Sequence, residues 1–256
     1  MLTSEQVSYF ETFGFLVLRD AFSSEEINSI TKEADQVWKH TQGRDTDSGH
    51  TEVGRQVSGF IEMNTVLTNL VADDRVYVTV EQLLGPGFTY VASDGNMWAG
   101  DTVWHSDDNI RPGYKRVKVA LYLDSLTREN GCLRVVPGSH LYHFHKGLKQ
   151  VLQADQNPFG LVPEAVPSFP IETNPGDILM FCQDIMHASF GAPQPRRQIA
   201  LSFFAKPEID EHKKWVIALY YEIRKKSDEV TAKSFLDNPN PRIQNVVAPL
   251  KRLGVE

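Results

Sequence analysis

The first eighty-odd residues carry helix signals separated by short apolar or polar inserts. A threonine, serine or aspartate opens each helical stretch, and in the first two a glutamine or glutamate three residues later completes a capping box. These signals predict three helices: Thr3 to Gly14, Ser23 to about His40, and Asp73 to Gly85. The apolar run Phe15-Leu16-Val17-Leu18 predicts a short strand. The polar, aperiodic segment from Gly43 to Gly59 predicts a long loop.

The hydrophobic pattern changes from Phe88 onwards, where short β-rich runs alternate with turn signals such as Asn130-Gly131 and Pro175-Gly176. The predicted strands are 88–92, 117–123, 133–136, 178–181 and 199–204. Several short strands at this spacing are typical of a sandwich or barrel. Because no amphipathic helices alternate with them, a parallel βαβ sheet is not predicted. We expect a mainly β fold with flanking helices and a jelly-roll core over about residues 88–206.

The C-terminal part of the chain is predicted to lie outside this core. Ile209 to Lys226 has a helical pattern, whereas the stretch after Ser234, with its Asn-Pro repeats at 238–241, predicts an irregular tail. No convincing linker interrupts the chain. We therefore expect one domain spanning residues 1–256, with the N-terminal helices and the tail packed around the jelly roll.

Composition and charge narrow the class of partner. The 256 residues are 41% hydrophobic and 23% charged, as in ordinary globular chains. With 26 Lys+Arg against 33 Asp+Glu, the net charge of -7 argues against nucleic acid or an anionic membrane surface as the main partner. Two cysteines in apolar surroundings give no disulfide framework, and no signal peptide is evident. These features predict a cytoplasmic protein.

Two His-x-acid pairs are candidate metal ligands. His50-Thr51-Glu52 lies in the polar loop, where a solvated histidine is the simpler interpretation, although Asp47, His50 and Glu52 form a rival candidate site. His105-Ser106-Asp107 follows an extended segment in the β-rich half. Since residues i and i+2 of an extended chain point the same way, both side chains can bind one metal ion.

A third ligand is required, and His187 is the candidate, following the predicted strand at 178–181. Its apolar neighbours also allow a core histidine. Two histidines and one carboxylate on one octahedral face leave three positions open, which is the arrangement of non-heme Fe(II) oxygenases. Arg196-Arg197 opens a buried strand, where a guanidinium needs an anion such as a dicarboxylate cosubstrate or an acidic side chain of the protein itself.

Four motifs together carry a family resemblance. They are Trp104-His105-Ser106-Asp107, the stretch 129–140 (ENGCLRVVPGSH), Pro175-Gly176-Asp177, and His187-Ala188-Ser189 leading to Arg196-Arg197. In their order and spacing the chain resembles the phytanoyl-CoA dioxygenase family, which contains iron- and 2-oxoglutarate-dependent oxygenases such as ectoine hydroxylase. Residues 13–17 also look like that family's opening strand, so the resemblance covers most of the chain.

The resemblance implies a double-stranded β-helix, or jelly roll, and a specific set of site residues. His105, Asp107 and His187 would bind Fe(II), and Arg196 would hold the distal carboxylate of 2-oxoglutarate. Ser189, Thr102 and Asn96 would assist the cosubstrate. The segment between the distal histidine and the arginine is shorter than usual in the family, so Arg197 stays an alternative to Arg196.

The implied reaction consumes O₂ and 2-oxoglutarate and releases succinate and CO₂ while an aliphatic C–H bond of a small metabolite is oxidised. Asp107 is the carboxylate that related halogenases lack, which favours hydroxylation. A cupin-like metal enzyme of another class, such as an isomerase or zinc hydrolase, and a non-catalytic jelly-roll binding module are the competing hypotheses. Of the other histidines, His140 is expected to close a turn, and His143 and His145 to be polar residues after it.

Overall fold

The structure, a computed structural model, describes residues 1–42, 54–107, 113–152, 162–224, 233 and 235–255. The helices are α1 (Ser4–Phe13), α2 (Ser24–His40), α3 (Thr65–Thr68), α4 (Asp74–Leu84), α5 (Tyr142–Leu152), α6 (Asp210–Arg224) and α7 (Pro241–Arg252). The strands are β1 (Phe15–Leu18), β2 (Gly54–Ser58), β3 (Thr89–Trp98), β4 (Thr102–His105), β5 (Arg116–Tyr122), β6 (Leu133–Val135), β7 (Phe169–Ile171), β8 (Ile178–Cys182), β9 (His187–Ser189) and β10 (Arg196–Phe204).

The N-terminal helices begin and end where their sequence signals predict. The side chains of Thr3 and Ser23 each accept a hydrogen bond from the backbone N–H three residues later, and both capping boxes are complete. Gly14 ends α1 at φ +83°, a left-handed conformation that glycine adopts at little cost, and its N–H donates to the carbonyl of Phe10. The predictions of α1, α2 and α4 are therefore confirmed.

The strands form two antiparallel sheets. The larger has the order β1-β8-β5-β10-β3-β2, and the smaller has the order β4-β9-β6-β7. Since most neighbouring strands, such as β1 and β8 or β4 and β9, are not consecutive in the chain, the chain crosses repeatedly between the sheets, as a jelly roll requires. The mainly β fold with flanking helices is as predicted, and the opening strand β1 completes one edge of the larger sheet beside β8.

The two faces of the larger sheet have different roles. Val117, Val119 and Leu121 of β5 join a large apolar cluster with residues of α2, α4 and α7. Burying each such side chain stabilises the fold by roughly 1.5–3 kcal/mol. Because strand side chains alternate, Lys118 and Tyr122 lie on the opposite face and line a cavity between the sheets. The helical layer thus fixes the sheet whose inner face carries the polar side chains.

Two sequence-based expectations are wrong. Residues 54–58 of the predicted loop form β2, which pairs with β3 at the edge of the larger sheet, while residues 43–53 lie outside the described residues. The tail is not irregular, because Asn240 caps α7 and Pro241 occupies its first turn. An Asn-Pro pair is a helix-start signal as well as a turn signal.

The two histidines after the Pro-Gly-Ser-His turn differ in burial. His143 and His145 belong to helix α5, which follows the turn, and His143 is the exposed one of the two. His145 is buried, and its Nδ1 lies 2.9 Å from the carbonyl oxygen of Asp184. None of the helices in the described segments is long and apolar enough to cross a membrane.

Candidate metal centre and cosubstrate pocket

His105, Asp107 and His187 meet where the smaller sheet opens towards the larger one. His105 ends β4 and lies directly opposite His187, the first residue of β9, in the antiparallel register. Their ring centroids are 4.2 Å apart. The backbone N–H of Asp107 donates to the carbonyl of Gln183 at 3.1 Å, which holds the residue beside the two rings. One ligand atom from each of the three residues lies within 4.8 Å of the others.

Hydrogen bonds fix the orientation of both imidazoles. Nδ1 of His105 lies 2.7 Å from the carbonyl of Val103, and Nδ1 of His187 lies 2.9 Å from the carbonyl of Ile185. Because a carbonyl can only accept, each Nδ1 carries the proton, and Nε2 is the nitrogen that presents its lone pair. Such backbone contacts typically orient metal-binding histidines.

The charge state of the cluster suits a divalent cation. Burial, assisted by the neighbouring His105, lowers the pKa of His187 to about 3, so its imidazole is neutral at physiological pH. Burial alone would raise the pKa of Asp107, but Lys118 and the two histidines lower it to about 2. His187 and Asp107 therefore offer a neutral nitrogen donor and an ionised carboxylate, the protonation states that a metal ion requires.

A cavity of about 290 Å³ opens beside these three residues. The remaining residues that the sequence nominated also line it: Asn96, Thr102, Ser189 and Arg196. Thr102 and Ser189 face each other across the β4–β9 pair, and the side-chain amide of Asn96 donates to Gln198 at 2.9 Å. The structure thus brings all seven nominated residues into one pocket.

The two adjacent arginines of β10 point in opposite directions. Arg196 is 6% exposed, and its guanidinium donates to the backbone carbonyls of Trp98, Gly100 and Gly131. Within the described segments it forms no ion pair with an acidic side chain, and burial lowers its pKa. Arg197 instead binds Asp124 at 2.7 Å and Asp35 at 3.1 Å on the other face of the sheet. Of the two arginines, Arg196 is the one that lines the pocket, and in the described part of the chain it has no carboxylate within ion-pair distance.

The Asn-Gly and Pro-Gly-Ser-His stretches support the pocket from outside. Gly131 has φ +98°, and a Cβ there would lie 2.6 Å from the Cβ of Ala192, so glycine is needed where the carbonyl meets Arg196. The Oγ of Ser139 accepts the N–H of Met186 at 2.8 Å, next to the distal histidine. His140 contacts the Glu11 carbonyl at 3.0 Å, as expected for a structural residue.

Other side chains also line the pocket, and three of them had no predicted role in the site: Lys118, Tyr122 and Gln198. Lys118 is the most consequential, because its Nζ lies 2.9 Å from Oδ2 of Asp107. A signal was present in the sequence, since a lysine inside the apolar run Val117 to Leu123 must either be paired or face a cavity. The rival cluster of Asp47, His50 and Glu52 lies outside the described residues.

Comparison with known proteins decides the family. A model of the phytanoyl-CoA dioxygenase (PhyH) family matches residues 10–198, well over half of the chain. The chain belongs to the phytanoyl-CoA dioxygenase family. It is accordingly an Fe(II)- and 2-oxoglutarate-dependent dioxygenase, as its motifs predict. Among curated relatives, the ectoine dioxygenase of Bordetella parapertussis is 25% identical over 231 residues, which cover 79% of this dioxygenase and 75% of the relative.

Solved structures confirm the fold. The apo form of EctD from S. alaskensis matches this dioxygenase with a TM-score of 0.63 and 23% identity, covering 80% of this chain and 77% of that one. HygX from Streptomyces hygroscopicus, solved with nickel and 2-oxoglutarate, matches with a TM-score of 0.64 and 21% identity, covering 80% and 88%. The predicted double-stranded β-helix is therefore confirmed.

Proposed function

We propose that this dioxygenase hydroxylates an aliphatic C–H bond of a small polar metabolite, with His105, Asp107 and His187 binding the iron. The observation that carries this assignment is the convergence of one ligand atom from each residue within 4.8 Å. The donor set fits Fe(II), since two neutral imidazoles and one carboxylate on one side leave positions for a keto acid and oxygen. When bound, iron and 2-oxoglutarate supply the oxidising power to insert one oxygen atom of O₂ into the substrate, with release of succinate and CO₂.

We assign the distal carboxylate of 2-oxoglutarate to Arg196. Its buried guanidinium is held in place by three backbone carbonyls, and a dicarboxylate would supply the anion that the described protein does not. Ser189 and Thr102 flank the same pocket and can donate hydroxyl hydrogen bonds to a bound carboxylate, while the amide of Asn96 lies on its β3 side. The role of these residues is to orient the cosubstrate and to replace water around it.

The lining of the pocket supports a polar substrate. Gln56, Asn96 and Gln198 present amides, and Trp98 offers an aromatic face. Such groups fix a small molecule through a few hydrogen bonds and one apolar contact. Because the curated relatives are named ectoine dioxygenases, ectoine is the first compound to assay, followed by other small charged metabolites.

We further propose that the chain acts as one domain in the cytoplasm, on a small molecule rather than on nucleic acid. Both cysteines are free thiols, which is consistent with a reducing compartment. The net charge of -7 gives no basic excess for binding nucleic acid.

An anaerobic titration with Fe(II) and 2-oxoglutarate tests the site assignment. The wild-type protein should develop a weak visible charge-transfer band, and His105→Ala should abolish it in protein that still folds. His143→Ala, which removes an exposed histidine of α5, is the matched control and should keep the band. If folded wild-type protein gives no band, or if His105→Ala retains it, the proposed iron site is wrong.

The reaction itself is tested by measuring succinate release across the compound panel. Succinate formed in proportion to a hydroxylated product, and only with O₂ and 2-oxoglutarate present, supports the proposal. Turnover of a substrate without O₂ and 2-oxoglutarate would instead favour a metal enzyme of another class on the same fold.

A further inference from the structure

Lys118 occupies an unusual place for a lysine. It lies in the middle of β5, its side chain is 18% exposed, and the residues on either side belong to the apolar core. Its neighbour two positions along on the inner face is Ala120, and Ala200 lies opposite Ala120 on β10. Because these positions are small, the long side chain has room to extend into the pocket beside the metal ligands.

The two oxygens of the Asp107 carboxylate have different neighbours. Its Oδ1 lies 3.6 Å from Nε2 of His187, on the side where the three ligand atoms converge. Its Oδ2 lies 2.9 Å from Nζ of Lys118. The lysine therefore contacts one carboxylate oxygen, while the other lies on the side of His187.

A second carboxylate balances the lysine. Asp94 of β3 is partly buried on the inner face and interacts electrostatically with Lys118, and its Oδ1 accepts a hydrogen bond from Ser58 at 3.2 Å. Burial raises the pKa of Asp94, so this second carboxylate opposes the lysine charge less than a solvated one would. Lys118 and Arg196 thus bring two cationic side chains to the lining of the one pocket beside the metal ligands.

We propose that Lys118 is a positioning residue that sets the charge balance of the pocket in favour of the dianionic cosubstrate, at a cost in affinity for the metal. This inference rests on the proposed function. A cation beside the metal site repels the incoming metal ion and attracts the incoming dianion, and both effects are strong where water is excluded. Removal of the lysine charge should therefore move the two affinities in opposite directions, whereas general damage to the site would weaken both.

The test compares Lys118→Met with Lys115→Met. Lys115 lies near the start of the same strand but is exposed, where it pairs with Glu11 at 2.8 Å, so it controls for the loss of one positive charge. Metal affinity is measured by titration with Mn(II), followed by electron paramagnetic resonance of the unbound ion. Affinity for 2-oxoglutarate is measured anaerobically through the charge-transfer band of protein saturated with Fe(II).

The expected result for Lys118→Met is a dissociation constant for 2-oxoglutarate raised at least about tenfold, with Mn(II) binding tighter than in wild type. Lys115→Met should change neither affinity. A parallel loss of both affinities in Lys118→Met, or an unchanged 2-oxoglutarate affinity, would overturn the inference.

Lys118→Arg keeps the test decisive if the methionine variant does not fold. Because arginine retains the charge, its 2-oxoglutarate affinity should stay within about threefold of wild type, which is less than 1 kcal/mol. If Lys118→Arg folds but loses cosubstrate affinity tenfold or more, charge is not the cause and the inference fails. Failure of the wild-type protein to bind Fe(II) and 2-oxoglutarate would instead reject the proposed function itself.

Discussion

Arg116 and Lys118 lie two residues apart on β5, and each contacts an aspartate. The two contacts differ in whether the aspartate also belongs to a set of candidate metal ligands. Arg116 is fully buried, forms an ion pair with Asp184, and its guanidinium lies 4.9 Å from the ring centroid of Trp215. Lys118 shares its aspartate with two histidines whose ligand atoms converge beside a cavity. We call these the closed cluster and the open cluster.

The difference shows how burial separates structural charges from functional ones. In the closed cluster one cation meets one anion, and the ring of Trp215 lies against the guanidinium, so its contribution is to the stability of that end of the barrel. In the open cluster, two histidines from the paired strands β4 and β9 and one aspartate from the segment just after β4 converge on a common position. Buried polar groups that converge in this way are costly unless a ligand interacts with them.

The largest expected effect is in the open cluster. Asp107→Ala removes the only carboxylate among the three candidate ligands, so turnover and the charge-transfer band should disappear. The loss of activity should exceed the about 10- to 100-fold effect that is typical of losing an outer-sphere partner. Measurement of succinate release and of the thermal midpoint together checks this, and a folded variant with substantial activity would contradict the ligand assignment.

A substitution in the closed cluster should lower the stability of the protein rather than its activity. Asp184→Asn removes the anion that faces Arg116, so the free energy of unfolding should fall by about 3–5 kcal/mol. Because the metal ligands are untouched, the folded fraction should still give the charge-transfer band with Fe(II) and 2-oxoglutarate. Urea denaturation measures the change, and a variant of unchanged stability that had lost metal binding would reverse the roles of the two clusters.

The paired arginines of β10 sharpen the same contrast within one strand. Arg196→Met should raise the KM for 2-oxoglutarate about 10- to 100-fold, since charge-assisted hydrogen bonds to the distal carboxylate are lost. Arg197→Met removes a partly exposed ion pair with Asp124 and Asp35, so stability should fall by about 1 kcal/mol or less and the KM should not change. Steady-state kinetics with varied 2-oxoglutarate separates the two, and an effect of Arg197→Met alone would contradict the assignment.

The smallest effect is expected away from both clusters. Ser23 caps α2 through a 3.3 Å hydrogen bond from the backbone N–H of Glu26. Ser23→Ala should therefore cost about 1 kcal/mol of stability and leave kcat/KM for 2-oxoglutarate unchanged. A change in cosubstrate affinity in this variant would show that global stability, rather than local charge, governs the pocket.

Much of the fold and of the candidate site could be predicted from the sequence, because the relevant signals are local. Capping boxes depend on residues three apart, so α1 and α2 could be read directly. The pairing of His105 with Asp107 follows from the two-residue repeat of extended chain, and the family motifs supplied His187 and Arg196. The orientation of Arg196 against Arg197 depended on register, which only the paired strands establish.

What the sequence could not provide depends on long-range contacts. Residues 54–58 form an edge strand because β3 offers hydrogen bonds, not because their own pattern is strongly β. The helix α7 begins at an Asn-Pro pair that also marks turns, so the local signal is ambiguous. Lys118 is part of the site because β5 lies across the barrel from β4. The residues next to it in the sequence do not identify Asp107 as its partner.

The central claim is that three side chains hold one metal ion from one side while Arg196 holds the far end of the keto acid. A crystal structure of the protein with Mn(II) and 2-oxoglutarate, prepared without oxygen, tests it most directly. The account predicts an ion bonded to Nε2 of His105, an oxygen of Asp107 and Nε2 of His187, with the distal carboxylate on the Arg196 guanidinium. An ion bound elsewhere, or a His187 ring turned away from it, would contradict the account.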